Sequence, residues 1–132
     1  MRWKIIIKTE SGIRAFGEIF DDEAPNTARK IVEALPIEGS ATKWGDEIYF
    51  MINLKIPPEN AREKVKLGEI AYWPEGPAIC LFLGLTPISP SPEDIRAYSP
   101  VNVIGRITES IEELKKIKEG ERIQILLSNS SG

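Results

Sequence analysis

The sequence predicts a mainly β fold, a closed β-barrel of about eight strands capped by two α-helices. Three observations lead to this prediction. Short segments in which apolar and polar residues alternate recur along the chain, and only two segments carry apolar residues at helical spacing. With 132 residues the chain is long enough for one core, and closing the sheet would remove its exposed edge strands. We expect one domain over residues 1–128 and a disordered tail at 129–132.

The chain begins with a predicted β-hairpin and a helix. Residues 2–9 alternate in the manner of a half-buried strand, and a turn containing glycine leads to a second strand at 13–20. Residues 24–35 then show helical spacing, with Pro25 suited to the first turn. Pro36 disfavours helical geometry in the residue before it, so the helix is expected to end there.

The rest of the chain predicts mostly strands. Alternating or continuous apolar runs mark six further segments: 41–44, 47–54, 68–73, 78–83, 101–107 and 123–127. The intervening "PPENAREK" is too short and too punctuated to form more than one turn of helix. A second helix is expected after Ile107, because Ser110 and Glu113 have the spacing of a capping box and Gly120 is placed to end it.

Composition excludes several classes of enzyme and partner. The chain has no histidine and one cysteine, so Ser-His-Asp and Cys-His catalysis, histidine-ligated zinc and disulfides within the chain are excluded. Motifs for phosphate or dinucleotide binding are absent. The net charge of -3, with lysine and arginine scattered, argues against nucleic acid as a partner. We expect no metal and no cofactor.

Targeting segments are not visible in the sequence. No N-terminal segment is apolar over the length of a signal peptide, and none is apolar over the length of a membrane span. We therefore expect a cytoplasmic protein that does not associate with membranes. Its charge is carried mainly by lysine, arginine and glutamate, a bias found in the proteins of thermophiles.

One stretch, "YWPEGPAICLFLG" at residues 72–84, raises the question of a binding surface. In the simpler interpretation Tyr72, Trp73 and Phe82 pack the interior and fix the register of a hairpin. In the alternative, one or two of these rings line a ligand pocket. Cys80 fits a small buried apolar residue better than a reactive thiol.

Two other segments leave alternatives open. Residues 86–100 carry four prolines, which predicts a long connection that is either mobile or functional, with Tyr98 as the residue to test there. The acidic run at 21–23 could offer oxygen ligands to a hard cation. A solvated helix N-terminus explains these acids better.

Three segments resemble the cyclophilin-like superfamily, in order and in spacing. They are "GEIFDDEAPNTARKIVEAL" at 17–35, "FMIN" at 50–53 and "VNVIGRITESIEELKKI" at 101–117. A closer likeness is to a prokaryotic branch of small, single-domain cyclophilin-like proteins of unassigned function. It is carried by Trp73, Pro74, Gly76, Ala78, Phe82, Gly84, Thr86, Pro87 and Ser89.

The resemblance implies a peptidyl-prolyl cis-trans isomerase, but this chain lacks that family's arginine. Phe50 and Met51 match the Phe-Met of the cyclophilin pocket, and Asn53 stands where the family has glutamine. The arginine that assists rotation about the prolyl bond would fall on Gly45. Because an apolar pocket alone would lower a barrier of about 20 kcal/mol only modestly, we expect weak or absent isomerase activity.

Three functional hypotheses follow. The first is a cyclophilin-like domain that binds a small ligand or an extended peptide in a groove at the side of the barrel, through Phe50, Met51, Asn53, Trp73, Phe82 and Tyr98. The second is an isomerase whose arginine comes from another segment, with Arg62, Arg96 or Arg106 as donor. The third is a subunit of a multicomponent hydrolase, because the resemblance extends to parts of such enzymes that act on cyclic amides.

Overall fold

The structure is a computed structural model that describes residues 1–128, so the predicted tail at 129–132 lies outside the described residues. The fold is mainly β, with two helices, as predicted. The strands are β1 Arg2–Thr9, β2 Arg14–Phe20, β3 Ile37–Ser40, β4 Thr42–Trp44, β5 Glu47–Met51, β6 Arg62–Val65, β7 Glu69–Trp73, β8 Ala78–Phe82, β9 Ile95–Glu109 and β10 Arg122–Leu127; the helices are α1 Pro25–Ala34 and α2 Ile111–Leu114. No helix within residues 1–128 is both long enough and apolar enough to cross a membrane.

The prediction of a closed barrel of about eight strands is wrong. The described residues form ten strands, and nine of them make one open path in the order β3-β10-β1-β2-β9-β7-β8-β5-β4, with β6 paired to β9 outside this path. The two end strands, β3 and β4, follow each other in the chain and are separated by Ala41 alone. Among the described residues no ladder of hydrogen bonds joins these two end strands, so the sheet is not closed.

Helix α1 agrees with the prediction, but its first turn is stabilised differently from what the sequence suggested. The side chain of Glu59, far along the chain, accepts hydrogen bonds from the backbone N–H groups of Asn26 and Thr27 at 3.1 and 2.8 Å. Partial burial acts to raise the pKa of Glu59, but these bonds and one from the Thr27 hydroxyl hold it below its ordinary value. The helix N-terminus is therefore capped by a remote carboxylate.

The second helix is much shorter than predicted. Strand β9 continues to Glu109, and α2 consists of four residues only. Ser110 has a positive φ of 68° and makes no side-chain capping hydrogen bond, so the predicted capping box does not form.

Strands β6 and β9 also differ from the prediction. Residues 62–65 pair with β9 instead of forming a helical turn. Strand β9 begins at Ile95, inside the predicted proline-rich connection. The hydroxyl of Thr86 donates to the carbonyl of Arg96 at 2.6 Å, and the hydroxyl of Ser89 accepts from the N–H of Arg96 at 3.0 Å. Side-chain hydrogen bonds thus hold this segment against the start of β9.

Two apolar cores lie on opposite faces of the sheet around β5, β7 and β8. The larger core contains Phe50, Tyr72 and most of the buried isoleucines, together with α1. The Tyr72 hydroxyl is satisfied inside it, because it donates to the carbonyl of Leu54 at 2.7 Å and accepts from the N–H of Ile56 at 2.9 Å. The smaller core packs the first half of β9 against β7 and β8 and includes Val65, Ala71, Cys80, Phe82, Ile95, Ala97, Val101 and Val103.

Candidate aromatic pocket

A pocket of about 350 Å³ opens beside the smaller core. Its wall is the face of β4, β5, β8 and β7 that points away from the larger core, and the first half of β9 forms the opposite side. We call it the aromatic pocket, and its lining residues are Trp44, Glu47, Tyr49, Trp73, Cys80, Ala97, Tyr98, Ser99 and Val101.

Strand register brings these side chains together. Trp44 pairs with Glu47 across β4 and β5, and Tyr49 pairs with Cys80 across β5 and β8. Directly paired residues of antiparallel strands point to the same face of a sheet, and alternate residues of one strand share that face. The pocket therefore has a polar side chain, Glu47, placed between two aromatic residues.

A two-residue turn fixes the positions of Trp44 and Glu47. Gly45 has a φ of +63°, and Asp46 donates its N–H to the carbonyl of Leu85 at 2.8 Å. A Cβ atom on Gly45 would come within 2.7 Å of the Leu85 oxygen, so only glycine fits both the backbone conformation and the available space. The turn is thereby held against the segment that follows β8.

The four aromatic side chains form a connected series around the pocket. Ring centroids are 5.9 Å apart for Trp44 and Tyr98, 6.0 Å for Tyr98 and Trp73, and 5.9 Å for Trp73 and Tyr49. All three pairs are edge-to-face, with interplanar angles of 75–80°, which is a favourable arrangement of aromatic quadrupoles.

Two of these rings differ in how they are held. The indole N–H of Trp73 donates to the Ser99 hydroxyl at 2.6 Å, which ties the ring to β9. Tyr98 is 66% exposed, and its contacts with Trp44 and Trp73 leave it at the rim of the pocket. A large exposed ring in contact with two other rings is a feature of binding surfaces more than of structural cores.

Glu47 is the buried charged group of the pocket. It is only 4% exposed, and burial raises its pKa to about 7, while the neighbouring Cys80 thiol acts to lower it. Among residues 1–128 no lysine or arginine forms an ion pair with it. Glu47 is therefore divided between its neutral and charged forms near neutral pH.

Cys80 is buried, as expected, but it also lines the pocket. Burial, and next the charge of Glu47, raise the pKa of the Cys80 thiol well above its ordinary value, so the sulfur stays protonated. A buried thiol that stays protonated has no character of a nucleophile. Within residues 1–128 no three cysteine or acidic side chains cluster in a way that could hold a metal ion.

The structure separates the six residues that the sequence analysis put in one groove. Trp73 and Tyr98 line the aromatic pocket and touch each other. Phe82 is fully buried in the smaller core, and Phe50 is fully buried in the larger one. Met51 is 52% exposed outside the pocket, and Asn53, also exposed, is not among the residues that line it.

Sequence reasoning missed Trp44, Glu47, Tyr49 and Ser99 as pocket residues. The signal for three of them was the alternation of β4 and β5, which puts Trp44, Glu47 and Tyr49 on one face. Ser99 carried no such signal, because its strand lies where the prolines predicted a loop.

The three arginines considered as replacements for the isomerase arginine are already paired with carboxylates. These pairs are Arg62 with Glu23 and Glu69, Arg96 with Asp94, and Arg106 with Glu18. The acidic run at 21–23 is engaged in the same way, since Asp21 binds Arg29 and the N-terminal amine, and Glu23 binds Arg62.

Comparison with known proteins identifies the family. The sequence model of the Cyclophilin-like family matches residues 1–126. The chain belongs to this family. It is similar to the hypothetical protein AF2241 from Archaeoglobus fulgidus, with 42% sequence identity. The solution structure of that protein superposes with a TM-score of 0.79, and the match covers 96% of this chain and 95% of that one. The expected relationship to small cyclophilin-like proteins of unassigned function is confirmed.

A second solved structure has the same fold at low identity. It is McbB in complex with tryptophan, 13% identical, with a TM-score of 0.75, covering 97% of this chain and 46% of McbB. This cyclophilin-like chain thus spans about half the length of McbB, and the likeness is one of fold. No curated protein matches the sequence.

Proposed function

We propose that this cyclophilin-like chain binds a small organic molecule in the aromatic pocket and is not an efficient prolyl isomerase. The observation that carries the proposal is a formed cavity of about 350 Å³ with four aromatic rings and a few polar groups. Cavities of this size, mostly apolar and with few polar groups that orient a ligand, are the usual form of small-molecule sites.

The exposure of the aromatic residues supports binding over a purely structural role. Tyr72 and Phe82 are fully buried and need no ligand to explain them. Trp44, Tyr49 and Trp73 keep part of their surface accessible, and Tyr98 is mostly exposed. A ligand between these rings would remove apolar surface from water that the folded chain leaves uncovered.

A small molecule fits the pocket better than an extended peptide does. Peptides that bind as an added strand need a free strand edge of some length. The end strands of the sheet, β3 and β4, have four and three residues. A compact ligand needs only the cavity itself.

The comparison with McbB supports the same class of ligand. That protein was solved in complex with tryptophan, so a protein containing this fold binds a small aromatic molecule. The matched part is only 46% of McbB, so this fold also occurs as part of a longer protein. The expected role of this chain as a subunit of a multicomponent hydrolase is therefore kept as the alternative to a free-standing binder. Recovery of a stable complex from native lysate would favour that alternative over a free-standing binder.

The proposal is tested by fragment binding to the Tyr98→Ala variant, with Met51→Ala as the matched control. Both residues are large and exposed, but only Tyr98 lines the aromatic pocket. A mixture of small aromatic amines, alcohols and acids, together with a proline-containing tetrapeptide, would be screened by ligand-observed NMR. We expect hits whose affinity falls about tenfold in Tyr98→Ala, because an aromatic contact is lost, and is unchanged in Met51→Ala.

The opposite pattern would assign binding to the groove predicted from sequence. If Met51→Ala weakened the hits and Tyr98→Ala did not, the aromatic pocket would not be the binding site. If no fragment bound the wild-type protein at millimolar concentration, the proposed function would be wrong.

A further inference from the structure

We propose that the ligand of the aromatic pocket is a small organic cation, an ammonium group carried on a small apolar body, with Glu47 as its counter-ion. This inference rests on the proposed function, because it names the chemical class that the same pocket selects. Three features of the lining carry it: a buried carboxyl group without a cationic partner, a series of aromatic rings around it, and a cavity that contains no positive side chain.

The first feature is the isolation of Glu47. The side chain is only 4% exposed, yet within the described chain it has no ion pair, and only the neighbouring Cys80 thiol acts to favour its charged form. A buried carboxylate without a partner is costly, and buried charges are normally paired. The other half of the pair is therefore missing from the protein and would be supplied by the ligand.

The second feature is the arrangement of aromatic rings. Trp44, which pairs directly with Glu47, and Tyr49, two residues along the same strand, lie on the same face as the carboxyl group. Tyr98 and Trp73 complete the series from the side of β9 and β7. Tryptophan and tyrosine attract cations through the negative faces of their rings, and cages of such residues recognise ammonium groups.

The third feature is the charge of the lining. Of the nine residues that line the pocket, Glu47 alone can carry a negative charge near neutral pH, and none is lysine or arginine. An anionic ligand would meet the carboxylate and find no cation. The cavity of about 350 Å³ is large enough for an ammonium group with a short side chain and restricts the size of the body that carries it.

The test uses two probes of nearly the same shape that differ in charge, choline and its neutral isostere 3,3-dimethyl-1-butanol. Choline is permanently charged, so its own protonation does not change with pH. Binding would be measured at pH 8, where most Glu47 is ionised, by tryptophan fluorescence of the Trp3→Phe variant. The chain has three tryptophans, and in this variant only Trp44 and Trp73 of the pocket remain.

We expect choline to bind at least about tenfold more tightly than the alcohol, because it gains both the carboxylate and the cation–π contacts. Adding Glu47→Gln is expected to abolish this preference, because choline binding falls about tenfold when the carboxylate is lost. Glu33→Gln is the matched control, since it removes the same charge from an exposed site on α1 whose side chain has no hydrogen bond or ion pair within residues 1–128, and the preference for choline should persist.

Three outcomes would overturn the inference. Equal binding of choline and the alcohol, or an undiminished preference in Glu47→Gln, would show that charge is not recognised at Glu47. Failure of choline to bind at tens of millimolar would overturn it as well. In each case the fragment screen decides the proposed function separately, since neutral or acidic hits that depend on Tyr98 would keep the pocket and change only its ligand class.

Discussion

Glu47 links the pocket to the stability of the protein through its protonation. Its pKa is about 7 in the folded chain against an ordinary 4.5, because burial disfavours the charged form. Below about pH 4.5 the carboxyl group is protonated in both the folded and the unfolded chain, so it does not reduce the free energy of unfolding there. The free energy of unfolding falls as pH rises from 4.5 through 7, and the loss above pH 7 is about 3 kcal/mol at most.

We therefore predict that Glu47→Gln stabilises the protein relative to wild type at pH 8.5 and much less at pH 5. The glutamine side chain has nearly the same shape and cannot ionise. It therefore removes only the pH-dependent contribution of Glu47 to the free energy of unfolding. Urea denaturation of wild type, Glu47→Gln and the control Glu33→Gln at both pH values measures it. A difference between Glu47→Gln and wild type that is the same at pH 5 and pH 8.5 would contradict the raised pKa.

Individual residues also show where sequence reasoning succeeded and where it failed. The alternation of β5 puts Phe50 on one face of the sheet and Tyr49 and Met51 on the other, but which face is buried depends on what packs there. Phe50 and Met51 are neighbours in a strand and point to opposite faces, so they do not line one cavity. Tyr72 and Trp73 are divided in the same way, one in the larger core and one in the pocket.

At the scale of elements, the turn between β4 and β5 determines the geometry of the pocket. We predict that Gly45→Ala destabilises the protein and weakens ligand binding, because the new Cβ would displace Leu85 and, with it, the strand ends that carry Trp44 and Glu47. Gly12→Ala is the control: Gly12 also has a positive φ, +96°, but a Cβ there would touch nothing within 4 Å.

Backbone strain should therefore appear in both variants, at about 1 kcal/mol, and the additional loss only in Gly45→Ala. Thermal denaturation and binding of the best fragment hit distinguish the two contributions. Equal losses in both variants would mean that the contact with Leu85 has no consequence for the fold or the pocket.

Strand β9 explains why the pocket was harder to predict than the fold. Its sequence contains Pro100 and follows three other prolines, which locally indicate a loop. The pairing with β6 and the hydrogen bonds from Thr86 and Ser89 organise it, and these contacts join segments far apart in sequence. Hairpins such as β1–β2 and β7–β8 depend on local pattern and turns, and they were predicted correctly.

At the scale of the whole molecule, the family relationship makes prolyl isomerase activity the natural expectation. From the structure we predict weak or absent isomerase activity. Phe50 is fully buried, Gly45 stands where the arginine would be, and the three candidate arginines are bound to carboxylates. In a protease-coupled peptide assay we expect a rate close to the uncatalysed one. Turnover near that of an ordinary cyclophilin would contradict this prediction.

The sequence predicted a mainly β fold with two helices correctly, but the prediction that the sheet closes into a barrel was wrong. Strand content, the hairpins and α1 followed from periodicity and turn residues, which are local properties. Closure depends on whether the two end strands, β3 and β4, form hydrogen bonds with each other, and among the described residues they do not. The alternation of side chains along one strand does not report which strand pairs with it.

The two separate cores place the main packing of the domain and the aromatic pocket on opposite faces of one sheet. The larger core, built mostly of isoleucines and α1, contributes much of the stability of the domain without taking part in the aromatic pocket. The pocket is lined by partly exposed rings and by the first half of β9, and none of its lining residues belongs to the larger core. The lining can therefore be substituted without removing a side chain from the core that stabilises the domain.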